Sequence, residues 1–212
     1  MHGAVEKAWS DVVDTARRTV ADGLVVGTSG NVSARVGDLV VVTPTGVPYD
    51  RLRPQDAVAV DLEGRQVAGE LRPTSELPLH LAVYRGTGAR AVVHTHAPHA
   101  TAASTLVDVV PPVHYVTASL GGPVRVAPYA PYGTPELASA ALAALRDRTA
   151  CLLANHGTLA YGTSLAQAHE RTTQLEWLCR VWLLASAAGA PRLLTPSALA
   201  DVATRLASYG QP

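Results

Sequence analysis

Residues 89–99 read "ARAVVHTHAPH": a short apolar, β-branched run between Gly88 and Pro98 that ends in closely spaced histidines. A run this short, bounded by breakers, reads as a buried strand rather than a helix. Successive side chains of a strand point to opposite faces, so His94 and His96, two apart, share one face. Two imidazoles side by side are part of what a facial metal site requires. A lone histidine asks for no such explanation, because a buried, hydrogen-bonded imidazole is the commoner case.

Working outward, the flanking segments supply the rest of a mixed sheet. Upstream, "NVSARVGDLVVVTP" (31–44) reads as two short strands about a Gly-Asp turn, and "AVAVDLEGRQVAGE" (57–70) as a second pair turning at Glu63-Gly64. Apolar residues at Val5, Ala8, Trp9, Val12, Val13 and Ala16 recur with helical period, so a helix is expected over 5–21, ending near Gly23. Another helix is expected to open after Pro73, with Thr74 or Ser75 as its cap. Downstream, "VRVAP" (124–128) and "TACLLANHG" (149–157) read as strands, the latter ending at His156. Helices are expected over 134–148, 164–188 and 197–208. Strands and helices mix without strict alternation. The expectation is therefore a single domain spanning 1–212, of three-layer α/β or α+β type with a largely antiparallel sheet. The Pro/Gly-rich stretch 111–133 is long for a connection within a domain, and such segments usually carry function.

Composition narrows the function classes. Acidic and basic residues balance at 17 each, so no bulk charge draws the chain to nucleic acid or to an anionic membrane. No window reaches the roughly 18 uninterrupted apolar residues of a membrane span. The start, "MHGAVEKAWSDVV", lacks the basic and apolar regions of a secretory signal. A cytoplasmic location is expected, with Cys151 and Cys179 as buried thiols.

The candidate chemistry centres on His94, His96 and His156. Two histidine-terminated strands of one small domain can converge at one edge of its sheet. Three neutral imidazoles with an open position make the donor set of a catalytic zinc. Glu76, in "RPTSELPLH" (72–80), offers a carboxylate that can ligate the metal or take a proton. A helix-start Glu is also favoured by the macrodipole alone. His80 lies four residues on, on the same helical face. "GTSGNVS" (27–33), "TPTG" (43–46) and "PTSE" (73–76) offer uncharged N–H and hydroxyl donors that can cradle a phosphate. The same residues also make ordinary turns.

Taken together, "GTSGNVSAR", "TPTGVPYD", "PTSELPLHLAVY", "AVVHTHAPHATAAS", "VHYVTASLGG", "APYAPYGTPEL" and "LLANHGTLA", in this order along the chain, resemble the class II aldolase/adducin family. The resemblance is strongest to its L-fuculose-1-phosphate aldolase branch. It implies an α/β/α sandwich assembled as a homotetramer with active sites at subunit interfaces. It also implies one divalent metal per chain, most simply Zn2+, held by Glu76, His94, His96 and His156, with Glu76 as acid/base. Asn31, Thr45, Gly46, Thr74 and Ser75, with Thr28 nearby, match the family's phosphate-holding positions. Tyr115 matches a tyrosine that reaches a neighbouring subunit's site and serves the aldehyde oxygen. Tyr132 stands on the aldehyde side, and Tyr209 matches a tail tyrosine that covers the site. Thr74 stands where Ser is common in the family, and the chain stops soon after Tyr209.

The implied reaction is reversible retro-aldol cleavage of a ketose 1-phosphate, of the L-fuculose 1-phosphate type. The products are dihydroxyacetone phosphate and a short hydroxyaldehyde such as lactaldehyde. A Schiff-base mechanism is disfavoured by the lysine content, because Lys7 in the first helix is the chain's only lysine. A pentulose-5-phosphate 4-epimerase or a sugar-acid phosphate decarboxylase would use the same metal triad. The short stretch between His96 and His156 favours the aldolase branch over the epimerase. A non-enzymatic, adducin-like scaffold would be expected to have lost that triad.

Overall fold

A computed structural model of the chain describes residues 2–206 and 208; Tyr209, expected to cover the site, lies outside them. The element order is α1 (His2–Ala21), β1 (Asn31–Val36), β2 (Leu39–Val42), β3 (Val58–Asp61), β4 (Gln66–Ala68), α2 (Leu77–Gly86), β5 (Ala91–Thr95), α3 (Pro98–Ser104) and β6 (Val109–Val110). There follow β7 (Val124–Ala127), α4 (Pro135–Ala144), β8 (Ala150–Leu153), β9 (Gly157–Gly162), α5 (Leu165–Ala188) and α6 (Pro196–Leu206), with short 3-10 turns at Tyr49–Arg51, Pro54–Asp56 and Tyr115–Leu120.

The strands form one sheet in the order β4-β3-β2-β1-β5-β9-β8-β7-β6. β7 and β8 run parallel; the other neighbouring pairs run antiparallel. The strand that carries His94 is therefore the middle one. Helices cover both faces, which is why these antiparallel strands read as continuous apolar runs instead of alternating with polar residues. On one face Val40, Val42, Val92, Cys151 and Leu153 pack under Leu79, Val83 and Tyr84 of α2 and Leu137 and Ala141 of α4. On the other, Val41 and Val93 meet Trp9, Val12 and Ala16 of α1, and Leu152 and Ala160 meet Leu175 and Leu178 of α5. The change of face between Val92 and Val93, or Cys151 and Leu152, is the strand period of two. Both cysteines are buried free thiols.

Local chemistry places the ends. Thr134 caps α4 through its hydroxyl to the Leu137 N–H, and Ser164 caps α5 through the Gln167 N–H. Three expectations need correction. Neither Thr74 nor Ser75 caps α2, which begins at Leu77 with Glu76 at the cap position; the Thr74 hydroxyl instead accepts the Glu76 N–H at 3.2 Å. The helix after Thr134 ends at Ala144, four residues short of Arg148. The strand carrying "ACLL" stops at Leu153, and His156 sits in a tight turn before β9. Asn155 in that turn has φ 55°, a left-handed conformation that Asn tolerates better than most residues. The turn lets the chain reverse and pair β9 with β5 as well as β8.

Candidate metal centre

Sheet register assembles the site. Across β1 and β5, Asn31 lies opposite His94; across β5 and β9, Thr95 lies opposite Thr158. These pairs bring Asn31, His94, His96 and the His156 turn to one end of the central strands. Gly157 makes the approach possible, since a Cβ there would stand 2.2 Å from the Thr95 carbonyl oxygen. Gly30, just before β1, does the same beside the His94 carbonyl, where a Cβ would stand at 2.9 Å. Glu76 comes from the start of α2, on the face of the sheet to which His94 also points.

The three imidazoles stand edge to face around a common point, with ring centroids 4.8–5.0 Å apart and interplanar angles of 74–88°. One donor atom from each of Glu76, His94, His96 and His156 lies within 4.8 Å of every other. His94 Nε2 is 2.9 Å from Glu76 Oε2 and 3.0 Å from His96 Nε2, and His156 Nε2 faces Glu76 Oε1 at 3.4 Å. His94 Nδ1 is 2.7 Å from the Thr158 carbonyl oxygen, which can only accept, so Nδ1 carries the proton. In the neutral ring Nε2 is then a bare lone pair, aimed at a carboxylate and at another imidazole nitrogen. Lone pairs that converge in this way require a cation between them. Glu76 Oε1 is buried and has no hydrogen-bond partner, a costly arrangement unless a positive ion completes it. Nitrogen and carboxylate donors around an open side form the set a catalytic divalent metal takes. The residues fit the group.

The electrostatics agree. Burial pushes the Glu76 carboxyl up, but positive charge at His94 and then at His156, with the N–H of the Asn31 amide, outweighs it and holds the group ionised far below the usual carboxylate range. Burial lowers His94 too, yet Glu76 raises it on balance, which expresses the demand for positive charge at that point. Burial, then repulsion from the neighbouring histidines, lowers His96 to about 4; burial, then His94, lowers His156 to about 4. Both are neutral at pH 7 and able to ligate.

Above this floor opens a cavity of about 320 Å³. Thr28, Asn31, Thr45, Gly46, Thr74 and Ser75, the expected phosphate-side residues, all line it together with Glu76, His96 and His156. Their loops are pinned: Pro44 and Pro73 form a β-bridge, Thr45 N donates to the Arg72 carbonyl, and Thr74 N donates to the Thr43 carbonyl. The Tyr49 hydroxyl donates to the Gly30 carbonyl at 2.7 Å and holds the third loop. Among the described residues no Lys or Arg lines the cavity, so an anion there meets uncharged donors. Tyr132 lines it as well. Tyr115 does not; it lies on a separate groove with Trp177 and Arg171, stacked on His114 at 4.2 Å and 53% exposed.

Some of the lining was missed in the sequence. Tyr129 and Asn155 border the cavity; "APYAPYG" carries two tyrosines three apart, and that repeat was the available signal for Tyr129. Lys7 is on the outer side of α1, paired with Asp11 at 2.8 Å, remote from this chemistry.

A family model described as class II aldolase and adducin N-terminal domain matches residues 10–183. The chain belongs to the class II aldolase and adducin family. A relative from Bacillus thuringiensis named 5-deoxy-D-ribulose 1-phosphate aldolase is 35% identical over 98% of this chain and 99% of its own. The L-fuculose phosphate aldolase of Escherichia coli K12 is 38% identical over 96% of each chain. A solved structure of L-fuculose 1-phosphate aldolase matches with a TM-score of 0.92 at 33% identity, over 95% of this chain and 96% of that one. The α/β/α architecture and largely antiparallel sheet are those of this family.

Proposed function

We propose that the chain is a zinc-dependent class II aldolase that reversibly cleaves a ketose 1-phosphate to dihydroxyacetone phosphate and a short aldehyde. The observation that carries the reading is the convergence of Glu76, His94, His96 and His156 at the floor of a cavity rimmed by uncharged phosphate-type donors. The names of the two curated relatives, both aldolases of ketulose phosphates, support it. A hydroxyaldehyde such as lactaldehyde is the default partner product. The absence of any lysine besides Lys7 argues against the covalent alternative.

Bound there, the metal supplies Lewis acidity toward the ketone and adjacent hydroxyl oxygens of the substrate. The chain's residues do the rest. Thr28, Asn31, Thr45, Gly46, Thr74 and Ser75 hold the phosphate and so fix the carbon chain over the floor. When the C3–C4 bond breaks, the C4 hydroxyl gives up its proton on the tyrosine side as the aldehyde forms, the three-carbon fragment keeps the electron pair, and Glu76, after taking a proton from water, passes it to C3. In the reverse direction it removes that proton. Tyr132 borders the aldehyde. Tyr115, which lines a separate groove and not this cavity, acts in a neighbouring chain of a homotetramer, and Tyr209 is given the role of covering the site. The protein works in the cytoplasm; no described helix is long and apolar enough to cross a membrane.

The test supplies dihydroxyacetone phosphate with a panel of short aldehydes to zinc-loaded and EDTA-stripped protein. Carbon–carbon bond formation that needs the metal is expected, with about one divalent ion per chain by metal analysis. Full activity in the stripped protein, or interconversion of pentulose phosphates without net cleavage, would overturn the reading.

A further inference from the structure

Between β1 and α2 runs a line of five buried polar side chains in a layer that is otherwise apolar. The Tyr84 hydroxyl is 2.8 Å from Ser33 Oγ, which is 2.6 Å from His80 Nδ1. His80 Nε2 is 2.5 Å from Asn31 Oδ1, and Asn31 Nδ2 is 3.1 Å from Glu76 Oε2. Each member is 5% exposed or less. Asn31 and Ser33 alternate onto one face of β1, and His80 and Tyr84 stand four apart on α2, so strand and helix periods meet along this seam.

The donor directions follow from the end that has no choice. Ionised Glu76 can only accept, so the Asn31 amide must turn its N–H bonds toward it and its oxygen toward His80. His80 must then donate from Nε2, which leaves Nδ1 bare in the neutral ring. Ser33 fills Nδ1 with its hydroxyl hydrogen, and Tyr84 donates in turn to Ser33. Burial keeps the ring neutral by lowering His80 to about 3, and the nearby His94 works in the same sense.

We propose that His80 is a positioning residue: fixed as the Nε2–H tautomer by Ser33 and Tyr84, it orients the Asn31 amide and so ties down Oε2 of Glu76. The inference deepens the proposed function and rests on Glu76 as its acid/base. The consequence is that the two carboxylate oxygens differ. Oε2 is held by the amide, while Oε1 has no hydrogen-bond partner and is left for the proton or the metal. Were the His80 tautomer reversed, Nε2 would draw the amide hydrogens to itself. The Asn31 oxygen would then face the carboxylate, and the hold on Oε2 would become a repulsion. A merely space-filling layer has no need of this directionality, since apolar side chains of the same shape can be nearly neutral in stability.

Two measurements test this. The first is a long-range 1H–15N spectrum of the imidazoles in the whole protein, with and without zinc, the His80 signal assigned by its loss in His80→Gln. Between about pH 5 and about pH 8 it should show Nε2 protonated and Nδ1 bare. An Nδ1–H tautomer or an imidazolium at about pH 6 overturns the proposal.

The second is exchange of the C3 proton of dihydroxyacetone phosphate with solvent. Ser33→Ala, which removes the donor to Nδ1, should lower kcat about tenfold and leave KM within about twofold, the size expected from one misdirected hydrogen bond. His80→Gln can accept from Ser33 and donate to Asn31, and should stay within about threefold of wild type; His80→Leu should fall below Ser33→Ala. Zinc content should be unchanged in Ser33→Ala and His80→Gln. Wild-type exchange in Ser33→Ala, or equal loss in His80→Gln and His80→Leu, overturns the proposal. If the wild type itself exchanges no proton, the role given to Glu76 fails, and the imidazole spectrum still decides whether His80 orients Asn31.

Discussion

The floor and the rim of the cavity are built on opposite principles. On the floor, Glu76 and His94 are all but sealed from solvent, and each functional group has its direction set by a neighbour on an adjacent strand or helix. On the rim, Tyr129 and Tyr132 are 67% and 70% exposed, and Tyr115 is on another surface altogether. Chemistry that must act on any substrate of the class is preorganised within the sheet, where reorganisation costs nothing at the moment of reaction. The tyrosines proposed to face the aldehyde stand on loops, where change costs little stability. The difference implies large, coupled effects on the floor and small, separable ones on the rim.

The largest expected effect is in His94→Ala. The protein should lose bound metal and more than about 10³-fold in aldol cleavage, beyond the loss of a single electrostatic contact. Metal analysis beside turnover checks it; an active, metal-free variant would break the comparison at its root. Next, Glu76→Gln should lower proton exchange on dihydroxyacetone phosphate by about 10²–10⁴-fold, the range for one acid/base group. Phosphate affinity, proposed to come mainly from the loops around Thr28, Thr45 and Ser75, should barely move.

Gly157→Ala probes the floor's backbone. The added methyl meets the Thr95 carbonyl, and about 3 kcal/mol of destabilisation is expected from overpacking against main chain that cannot give way. Gly46→Ala on the rim meets nothing within 4 Å; its cost, about 1 kcal/mol, comes only from φ 70°. Urea melts of the pair would show whether floor and rim differ as stated.

Acid sharpens the contrast further. His80 is neutral when folded down to about 3, whereas the unfolded chain takes up its proton near the ordinary value of 6.5. The folded-state pKa is depressed, so stability is fully present above the unfolded value and is lost as pH falls from 6.5 toward 3. Between pH 7 and pH 5 that loss is about 2 kcal/mol for this one ring. The difference in slope between wild type and His80→Gln isolates it. Smallest of all, Tyr132→Ala should change stability by no more than about 0.5 kcal/mol while shifting preference among aldehydes. A melting curve and a competition assay with two aldehydes would detect a rim more deeply built in than its exposure implies.

Much of this was legible along the chain. The two Gly-containing hairpins, the long helices and the strand ending "VVHTH" declare themselves through local period and turn chemistry, which depend on neighbours within a few residues. So do the histidine pair and the isolated His156 beside a glycine. β9 was not legible, because four of the six residues of "GTLAYG" are glycine, alanine or threonine and the segment becomes a strand only through its partners on both sides. α3, seven residues that open on Pro98, is likewise held by what it packs on, the Glu176 carboxylate of α5 accepting the N–H groups of His99 and Ala100 at its start.

The sequence by itself determined the donor set: which residues can hold a metal, that no second lysine exists to replace it, and which turns can meet an anion. These are properties of composition and short spacing. Only the tertiary structure decided that Asn31 stands opposite His94, that His156 turns back toward His96, and that Glu76 is tied to Tyr84 through Ser33, His80 and Asn31. Each depends on sheet register or on one helix seated on one strand. A slip of one residue in β1 or β5 would send Asn31, Ser33 or His94 to the other face, and nothing local in the chain forbids that slip. The burial of both faces at once does.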